Sequence, residues 1–327
     1  MARSSFTKVI VFCLKAAVTI GLIWLVVGSV DMGDTMDRIR GIPLWIAPVA
    51  LTLLLTQFLL ATWRWRIVMR QFDQDLPFKT AFRFFFEGMF FNQALPSTVG
   101  GDGIRIYRSF RAGLPLESAV NSVILDRVLG LASQVLLVAI AQPLFYQRVD
   151  DPAARLTFTT IFILAVLGIS MLLLMSWMPV RLHRWSIFRG LAALSVAARQ
   201  AIARPSVLLP VVGLSVAGHL LTVTVFYLLF RCLDLPATFM DCLVLVPSVL
   251  LLATVPVSVA GWGLREGAMV AAFGLLGVAA GGAAAVSVLF GLGLIVLSLP
   301  GGLLWFVGSD RRVADVSHLT PEEHASP

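Results

Sequence analysis

Six long apolar runs constrain the fold of this chain more than any other feature of its sequence. Each run extends over about 20 residues, enough to cross a bilayer core about 30 Å thick as an α-helix. Charged residues make up only 13% of the chain, against roughly 25% in soluble domains. The sequence therefore predicts an all-α polytopic membrane protein that forms one domain over residues 1–327. Its predicted transmembrane helices lie at about 9–30, 43–63, 118–146, 156–178, 206–230 and 283–306.

Two glycine-rich segments, 160 residues apart, have closely similar sequences. Residues 95–105 align with residues 255–265, and each segment follows an apolar run and ends in an arginine. The identical pairs are Pro96/Pro256, Val99/Val259, Gly101/Gly261, Gly103/Gly263 and Arg105/Arg265. One segment lies between the second and third predicted spans, and the other lies between the fifth and sixth. Broken apolar segments at matching places in two halves of a chain indicate a transporter's binding site, so these segments predict a membrane translocator.

Proline and glycine in these segments favour two re-entrant helical hairpins over continuous helices. Pro96 and Pro256 are expected to end the first helix of each hairpin, because proline disfavours helical backbone in the residue before it. Glycine then allows the tight return. The second helix of each hairpin begins with exposed N–H groups, which attract anions. The alternative is a kinked helix and an ordinary glycine-rich connector. The glycines predicted to form the turns are Gly100, Gly101, Gly103, Gly261 and Gly263.

The distribution of lysine and arginine predicts the orientation of the spans. With both termini in the cytoplasm, most of the 25 basic residues, Arg64 among them, fall on that side, as the positive-inside rule requires. The first hairpin then enters the membrane from the cytoplasm and the second from outside. We therefore predict an inverted-topology repeat. Repeat 1 covers residues 9–146, repeat 2 covers 156–307, and 308–327 form a cytoplasmic tail.

Charged residues inside the predicted membrane segments are the candidate functional residues, since each costs about 2.5–3.5 kcal/mol at a helix centre. The third span contains Asp126 and Arg127. Asp126 could balance Arg127 or Arg265, or it could take up a coupling proton. A purely structural ion pair is the alternative.

The two loops and the segment before the first loop contain further charges. An arginine near a helix N-terminus could hold a lipid phosphate by bidentate hydrogen bonds. Alternatively, these arginines only lock their own hairpin to neighbouring carboxylates. The candidate substrate-binding residues are Glu87, Asp102, Arg105, Asp126, Arg127, Arg265 and Glu266.

The sequence contains no motif for nucleotide, metal or nucleic-acid chemistry. The net charge of +7 is better explained by basic cytoplasmic loops than by nucleic-acid binding. The four histidines are scattered, so no metal site is predicted. A Gly-x-x-x-x-Gly-Lys-Ser/Thr phosphate loop is also absent. We therefore expect no cofactor, no metal, no nucleic-acid partner and no enzymatic activity.

Several short motifs surround the two loops and the third span. They are Asn92-Gln93-Ala94-Leu95-Pro96, Gly100-Gly101-Asp102, Arg105, Asp126-Arg127, Pro256-Val257-Ser258, Gly261 and Gly263-Leu264-Arg265-Glu266-Gly267. Together they resemble the flippase-like transmembrane domain of bacterial lysylphosphatidylglycerol synthases and the stand-alone membrane proteins grouped with it. The resemblance covers residues 9–307, nearly the whole chain.

This resemblance implies a protein that moves or handles lipids at the bacterial inner membrane. It also implies that the charged candidates other than Glu87 lie along a polar path. The synthases carry a large soluble catalytic domain after their membrane part, whereas this sequence ends at Pro327. We therefore expect no aminoacylation of lipid. The stand-alone relatives are associated with hopanoid, cardiolipin or lipid-linked sugar pathways, so the cargo stays open.

The combined observations favour a non-enzymatic translocator that binds an anionic lipid head group between the two loops. The expected partner is a membrane phospholipid or a lipid-linked substrate. One alternative is an integral-membrane enzyme with Asp126 or Glu87 as general base. Another is a non-catalytic scaffold for a lipid-biosynthetic enzyme. The oligomeric state is left open.

Overall fold

The computed structural model describes residues 40–95, 100–177, 186–255, 258 and 261–307, together with Trp24 and Met36. Within these ranges the regular secondary structure is entirely helical. The protein is an all-α polytopic membrane protein, which confirms the fold class that the sequence predicts. The helices are α1 (Ile46–Met69), α2 (Phe78–Ala94), α3 (Gly100–Arg111), α4 (Leu116–Arg148), α5 (Pro152–Leu174), α6 (Ser186–Ala203), α7 (Pro205–Cys232), α8 (Phe239–Ala253), α9 (Leu264–Gly274) and α10 (Ala280–Val307).

Five of the described helices are long and apolar enough to cross a membrane. They are α1 with the turn that follows it to Phe72, α4, α5, α7 and α10. These helices correspond to the second through sixth predicted spans. The first predicted span and the predicted tail at 308–327 lie outside the described residues, apart from Trp24.

Both glycine-rich segments interrupt the helical chain. α2 ends at Ala94 and α3 begins at Gly100, while α8 ends at Ala253 and α9 begins at Leu264. α2 packs against α3, and α8 packs against α9. We refer to α2 and α3 as the first hairpin and to α8 and α9 as the second hairpin. Pro96 and Pro256 lie outside the described residues.

The glycines of the two segments have different positions in the structure. Gly261 and Gly263 lie in the turn before α9 with φ angles of +79° and +81°, a region that residues with a Cβ rarely adopt. Gly100, Gly101 and Gly103 were predicted to form a turn, but they occupy the first turn of α3. Gly101 is needed there for close packing, because a Cβ would lie 2.0 Å from the carbonyl oxygen of Gly88 on α2.

The two hairpins pack in a reciprocal way. The first hairpin contacts the last span of the chain through α2 and α10, and the second contacts the third predicted span through α8 and α4. α1 and α7, the spans that precede the first and the second hairpin, pack against each other. The contact of α2 with α10 thus has a counterpart in the contact of α8 with α4.

The largest apolar core belongs to the second half of the chain. Phe226 and Phe290 pack with their ring centroids 4.4 Å apart, and Phe230 and Phe273 stack at 4.3 Å. This core joins α7, α9 and α10. The helices of the first half instead surround a polar space, and that space is the candidate site.

Candidate functional site

A polar cavity of about 370 Å³ lies between α1, α2, α3, α4 and α7. Thr254, which follows α8, also lines it, so both hairpins contribute to its wall. Among the described residues, five charged side chains line this cavity. They are Arg64, Asp102, Arg105, Asp126 and Arg127. Three arginines against two aspartates leave the described lining with one net positive formal charge.

Asp126 is the central carboxylate of the cavity. It lies on α4 and is 1% exposed. Its Oδ1 accepts a hydrogen bond of 2.7 Å from Arg64 Nε on α1, and its Oδ2 accepts one of 2.9 Å from Arg105 Nη2 on α3. The sequence suggested Arg127 or Arg265 as its partner. The side chain of Asp126 therefore joins three helices through two arginines that the sequence did not suggest as its partners.

Asp102 forms the second ion pair of the cavity wall. Its Oδ1 accepts a hydrogen bond of 3.3 Å from Arg105 Nη1, and its Oδ2 accepts one from Arg127 Nη1. The side chain of Arg127 remains 32% exposed, against 7% for that of Arg105. Arg127 is therefore the more accessible of these two cations.

The guanidinium group of Arg105 is held by aromatic rings as well as by carboxylates. Its Cζ lies 4.2 Å from the ring centroid of Trp65 and 5.0 Å from that of Phe85. Its Nε is buried and has no hydrogen-bond partner among the described residues. An unsatisfied buried donor costs about 1–3 kcal/mol, so a hydrogen-bond acceptor placed at this N–H would stabilise the site.

Neutral polar side chains complete the wall and join it to its surroundings. Asn92 Oδ1 accepts a hydrogen bond of 2.8 Å from the Gly101 backbone N–H, which caps the start of α3. Arg64 Nη1 donates to Ser215 Oγ on α7 at 3.1 Å. Gln134 Nε2 on α4 donates to the Pro247 carbonyl at 2.8 Å. This last bond connects the polar wall to α8.

Sequence reasoning missed Arg64, Ser215 and His219, which all line the polar cavity. Arg64 was assigned to the cytoplasmic side because the second span was predicted to end at residue 63. α1 instead continues to Met69, which places Arg64 inside the helix and within reach of Asp126. The complete burial of the neighbouring Trp65 and its contact with Arg105 agree with an interior position for this turn of α1, and they became apparent only in the structure.

Arg265 and Glu266 form a separate buried cluster at the start of α9. Arg265 Nη2 donates to Glu266 Oε1 at 2.8 Å, and Arg265 Nε donates to Ser287 Oγ at 2.9 Å. Glu266 Oε2 accepts a hydrogen bond of 2.6 Å from the Gly263 backbone N–H. As far as the described residues extend, neither Arg265 nor Glu266 lines the polar cavity. These are the contacts of an arginine that locks its own hairpin.

Glu87 belongs to a third cluster, between α2 and α3. It is fully buried. It accepts hydrogen bonds of 2.6 and 3.1 Å from Arg108 and one of 2.9 Å from Arg83. Arg108 also lies over the ring of Trp305 on α10, 4.4 Å from its centroid. Glu87 is absent from the described lining of the polar cavity, and its contacts instead hold α2, α3 and α10 together.

The structure therefore divides the seven charged candidates among three clusters. Asp102, Arg105, Asp126 and Arg127 meet at the polar cavity. The other three residues pair elsewhere. The polar cavity is the arrangement best suited to bind a small anionic group, because its cations outnumber its anions and several of its donors are directed by buried partners.

Comparison with known proteins gives one match. A family model described as "Lysylphosphatidylglycerol synthase TM region" matches residues 12–301. This match confirms the resemblance noted from the loop motifs. A search of curated proteins found no match.

Proposed function

The chain belongs to the lysylphosphatidylglycerol synthase TM region family, and we propose that it is a lipid translocase. In this proposal an anionic or lipid-linked head group occupies the polar cavity while it crosses the bacterial cytoplasmic membrane. The acyl tails stay in the apolar phase. The family places the protein among multi-pass membrane proteins of lipid-related processes, and the finer activity is our inference from the polar cavity.

The observation that carries the proposal is the net positive polar cavity among membrane-spanning helices. Charges at membrane depth are expensive and are therefore typical of transport paths. The guanidinium groups of Arg105 and Arg127 suit a phosphate, since planar guanidinium can donate two parallel hydrogen bonds to its oxygens. The partly exposed Arg127 would meet the head group first, and the buried Arg105 would hold it.

The reciprocal packing of the two hairpins supports an inverted-topology repeat. In an inverted repeat, each half makes the same contacts to the other, as α2 with α10 and α8 with α4 do. Such repeats lead to alternating access around a site between the halves. We propose repeat 1 at residues 9–146 and repeat 2 at 156–307, with both termini in the cytoplasm. Thr254 brings the second hairpin to the polar cavity, as this mechanism requires.

The contacts of Glu87 and Asp126 argue against the enzyme alternative. A general base needs a carboxylate oxygen that can accept a proton from the substrate. Each carboxylate instead accepts hydrogen bonds from two arginines. The scaffold alternative gains no support from a particular contact, and we therefore retain the translocase proposal.

Transbilayer movement of fluorescent phosphatidylglycerol in proteoliposomes tests this function. The wild type should accelerate the loss of fluorescence to a membrane-impermeant quencher. Arg127→Gln should slow this movement by about tenfold or more, since a hydrogen bond to a charged group contributes about 1.5–3 kcal/mol. Arg70→Gln is the matched control, because Arg70 is 54% exposed and pairs with Asp75 in the turn after α1.

Two results would contradict the proposal. The first is a wild type that accelerates neither phosphatidylglycerol nor another anionic or lipid-linked substrate. The second is equal slowing by Arg127→Gln and Arg70→Gln, which would mean that surface charge and not the polar cavity controls the movement. The inverted topology has its own test. Single cysteines placed in each hairpin are labelled with a membrane-impermeant reagent added to one side of the membrane or the other. Labelling of both hairpins from the same side would exclude an inverted topology.

A further inference from the structure

An apolar groove adjoins the polar cavity on the side of α5. The groove has a volume of about 420 Å³ and lies between α4, α5 and the end of α8. Thr254 supplies the one polar side chain among its described lining residues. The groove thus differs sharply in chemistry from the polar cavity, although neighbouring faces of α4 line the two spaces.

The polar cavity and the apolar groove are neighbours that share two lining residues. Leu131 on α4 and Thr254 after α8 line both the polar cavity and the apolar groove. On its other side, the groove shares Ile161 and Leu252 with a second apolar cavity of about 290 Å³ between α5, α8 and α9. A ligand that extends from the polar cavity along this path would pass from a charged environment into a long apolar one.

α5 forms one wall of the groove and is the least buried of the five described spanning helices. It is long and apolar enough to span a membrane, but none of its described residues is buried. At Gly168, which lines the groove, an added Cβ would meet no described atom within 4 Å. The protein itself therefore leaves space beside α5 that an apolar ligand can fill.

From the adjacency of the two spaces we propose that the apolar groove holds one acyl chain of the lipid whose head group occupies the polar cavity. The inference rests on the proposed function, since it takes the head group to be bound at Arg105 and Arg127. It adds to that function a bound position for one acyl chain and a route of entry. The lipid reaches the polar cavity sideways from the bilayer, between α5 and the second hairpin.

The gap beside Gly168 permits a sharp test. Gly168→Leu would add a side chain to the groove from a Cβ that has no described atom within 4 Å, and leucine also favours a helix over glycine by nearly 1 kcal/mol. Gly213→Leu is the matched control, because Gly213 lies inside the spanning helix α7, also has no described atom within 4 Å of an added Cβ, and is not among the residues that line these cavities.

The experiment uses the full chain in vesicles that contain phosphatidylglycerol with a photoactivatable group near the end of one acyl chain. A second set of vesicles contains phosphatidylcholine with the same chains. After illumination, mass spectrometry locates the cross-linked peptides. We expect phosphatidylglycerol to label residues 161–172 and 251–255 more strongly than phosphatidylcholine does. Gly168→Leu should reduce this labelling by about tenfold, the lower end of the effect of one group in an apolar pocket, and Gly213→Leu should not.

Equal labelling by the two lipids would overturn the inference, because it would indicate bulk lipid that is indifferent to the charged cavity. Labelling that Gly168→Leu leaves unchanged would overturn it as well. The experiments distinguish failure of this inference from failure of the proposed function. Preferential labelling of the groove without transbilayer movement would support the acyl-chain site and contradict the translocase. Transbilayer movement without labelling of the groove would support the translocase and contradict the acyl-chain site.

Discussion

Arg64 Nε donates a hydrogen bond of 2.7 Å to Asp126 Oδ1, although 62 residues separate them in the chain. The bond joins α1 to α4. Because Asp126 also accepts a hydrogen bond from Arg105 on the first hairpin, this carboxylate connects both helices to the hairpin. The position of the polar cavity therefore depends on one buried carboxylate shared by two arginines.

Replacing Asp126 by asparagine should strongly destabilise the protein. Asp126→Asn keeps the shape of the side chain but leaves Arg64 and Arg105 without their shared negative charge. Removing one partner of a buried ion pair costs about 3–5 kcal/mol. Unfolding of the purified protein in detergent measures this loss. Asp75→Asn serves as the control, since Asp75 is also shared by two arginines, Arg66 and Arg70, but is 45% exposed. Comparable losses in the two variants would contradict the buried role of Asp126.

The contribution of Asp75 to the stability of the protein should depend on pH. Burial raises the pKa of Asp75, but hydrogen bonds and charges from Arg70 and Arg66 outweigh it and hold the pKa below its ordinary value. A lowered folded-state pKa contributes stability at neutral pH that is lost as the pH falls through that value. Wild type should therefore be slightly more stable than Asp75→Asn at pH 7, within about 1 kcal/mol. The two unfolding curves should approach each other below about pH 4, and a difference that grows in acid would be inconsistent with this pair.

The contact between Gly101 and Gly88 should make the first hairpin intolerant of a methyl group. In Gly101→Ala the new Cβ would lie 2.0 Å from the Gly88 carbonyl oxygen and 2.7 Å from the Asn92 side chain. Such overpacking costs about 1–3 kcal/mol. The neighbouring Gly103→Ala meets no described atom within 4 Å and should be neutral or slightly stabilising. Thermal unfolding of both variants distinguishes a specific helix crossing from a general need for glycine at the start of α3.

Replacing Arg265 and Arg127 by glutamine should affect different properties of the protein. Arg265→Gln should lower its stability, and Arg127→Gln should lower the rate of lipid movement. Arg265→Gln leaves Glu266 buried without its partner, so stability should fall by about 3–5 kcal/mol. Lipid movement per folded molecule should change little, because Arg265 lies outside the described wall of the polar cavity. Arg127→Gln should reduce lipid movement with little loss of stability, since its side chain is 32% exposed. Unfolding and proteoliposome transport, measured on the same preparations, provide both values. Slow transport by a stable Arg265→Gln protein would place Arg265 on the lipid path instead.

The turn of the second hairpin should require glycine for its backbone conformation. Gly263 has φ and ψ angles of +81° and −49°, a conformation that L-residues rarely adopt and that costs them about 1–3 kcal/mol. Gly263→Ala should lower stability by this amount. Gly274→Ala, at the end of α9 with no described atom within 4 Å of an added Cβ, should not. Equal unfolding temperatures for the two variants would show that the turn tolerates another backbone conformation.

Much of the local structure was predictable from short-range patterns. Apolar runs of sufficient length predicted the five described spans, because a bilayer core sets the length that an apolar helix needs. The repeated segments predicted a break in the helical chain at both places where the structure has one. The turn at Gly261 and Gly263 agrees with that expectation. The glycines at 100–103 do not, because a helix can also use glycine for close contact with its neighbour, and the sequence pattern alone does not distinguish these two uses.

The sequence by itself determined the membrane class, the helical spans and the family, because length, hydropathy and short motifs are local properties. It also singled out seven charged residues in or near the predicted membrane segments, although it missed Arg64. Only the tertiary structure decided which of those charges meet. Arg64 reaches Asp126 because α1 extends past its predicted end and packs beside α4. Arg265 instead pairs with Glu266 and Ser287, outside the described wall of the polar cavity. Ion pairs form between groups that packing brings within a few ångströms, and that distance depends on how whole helices pack against one another.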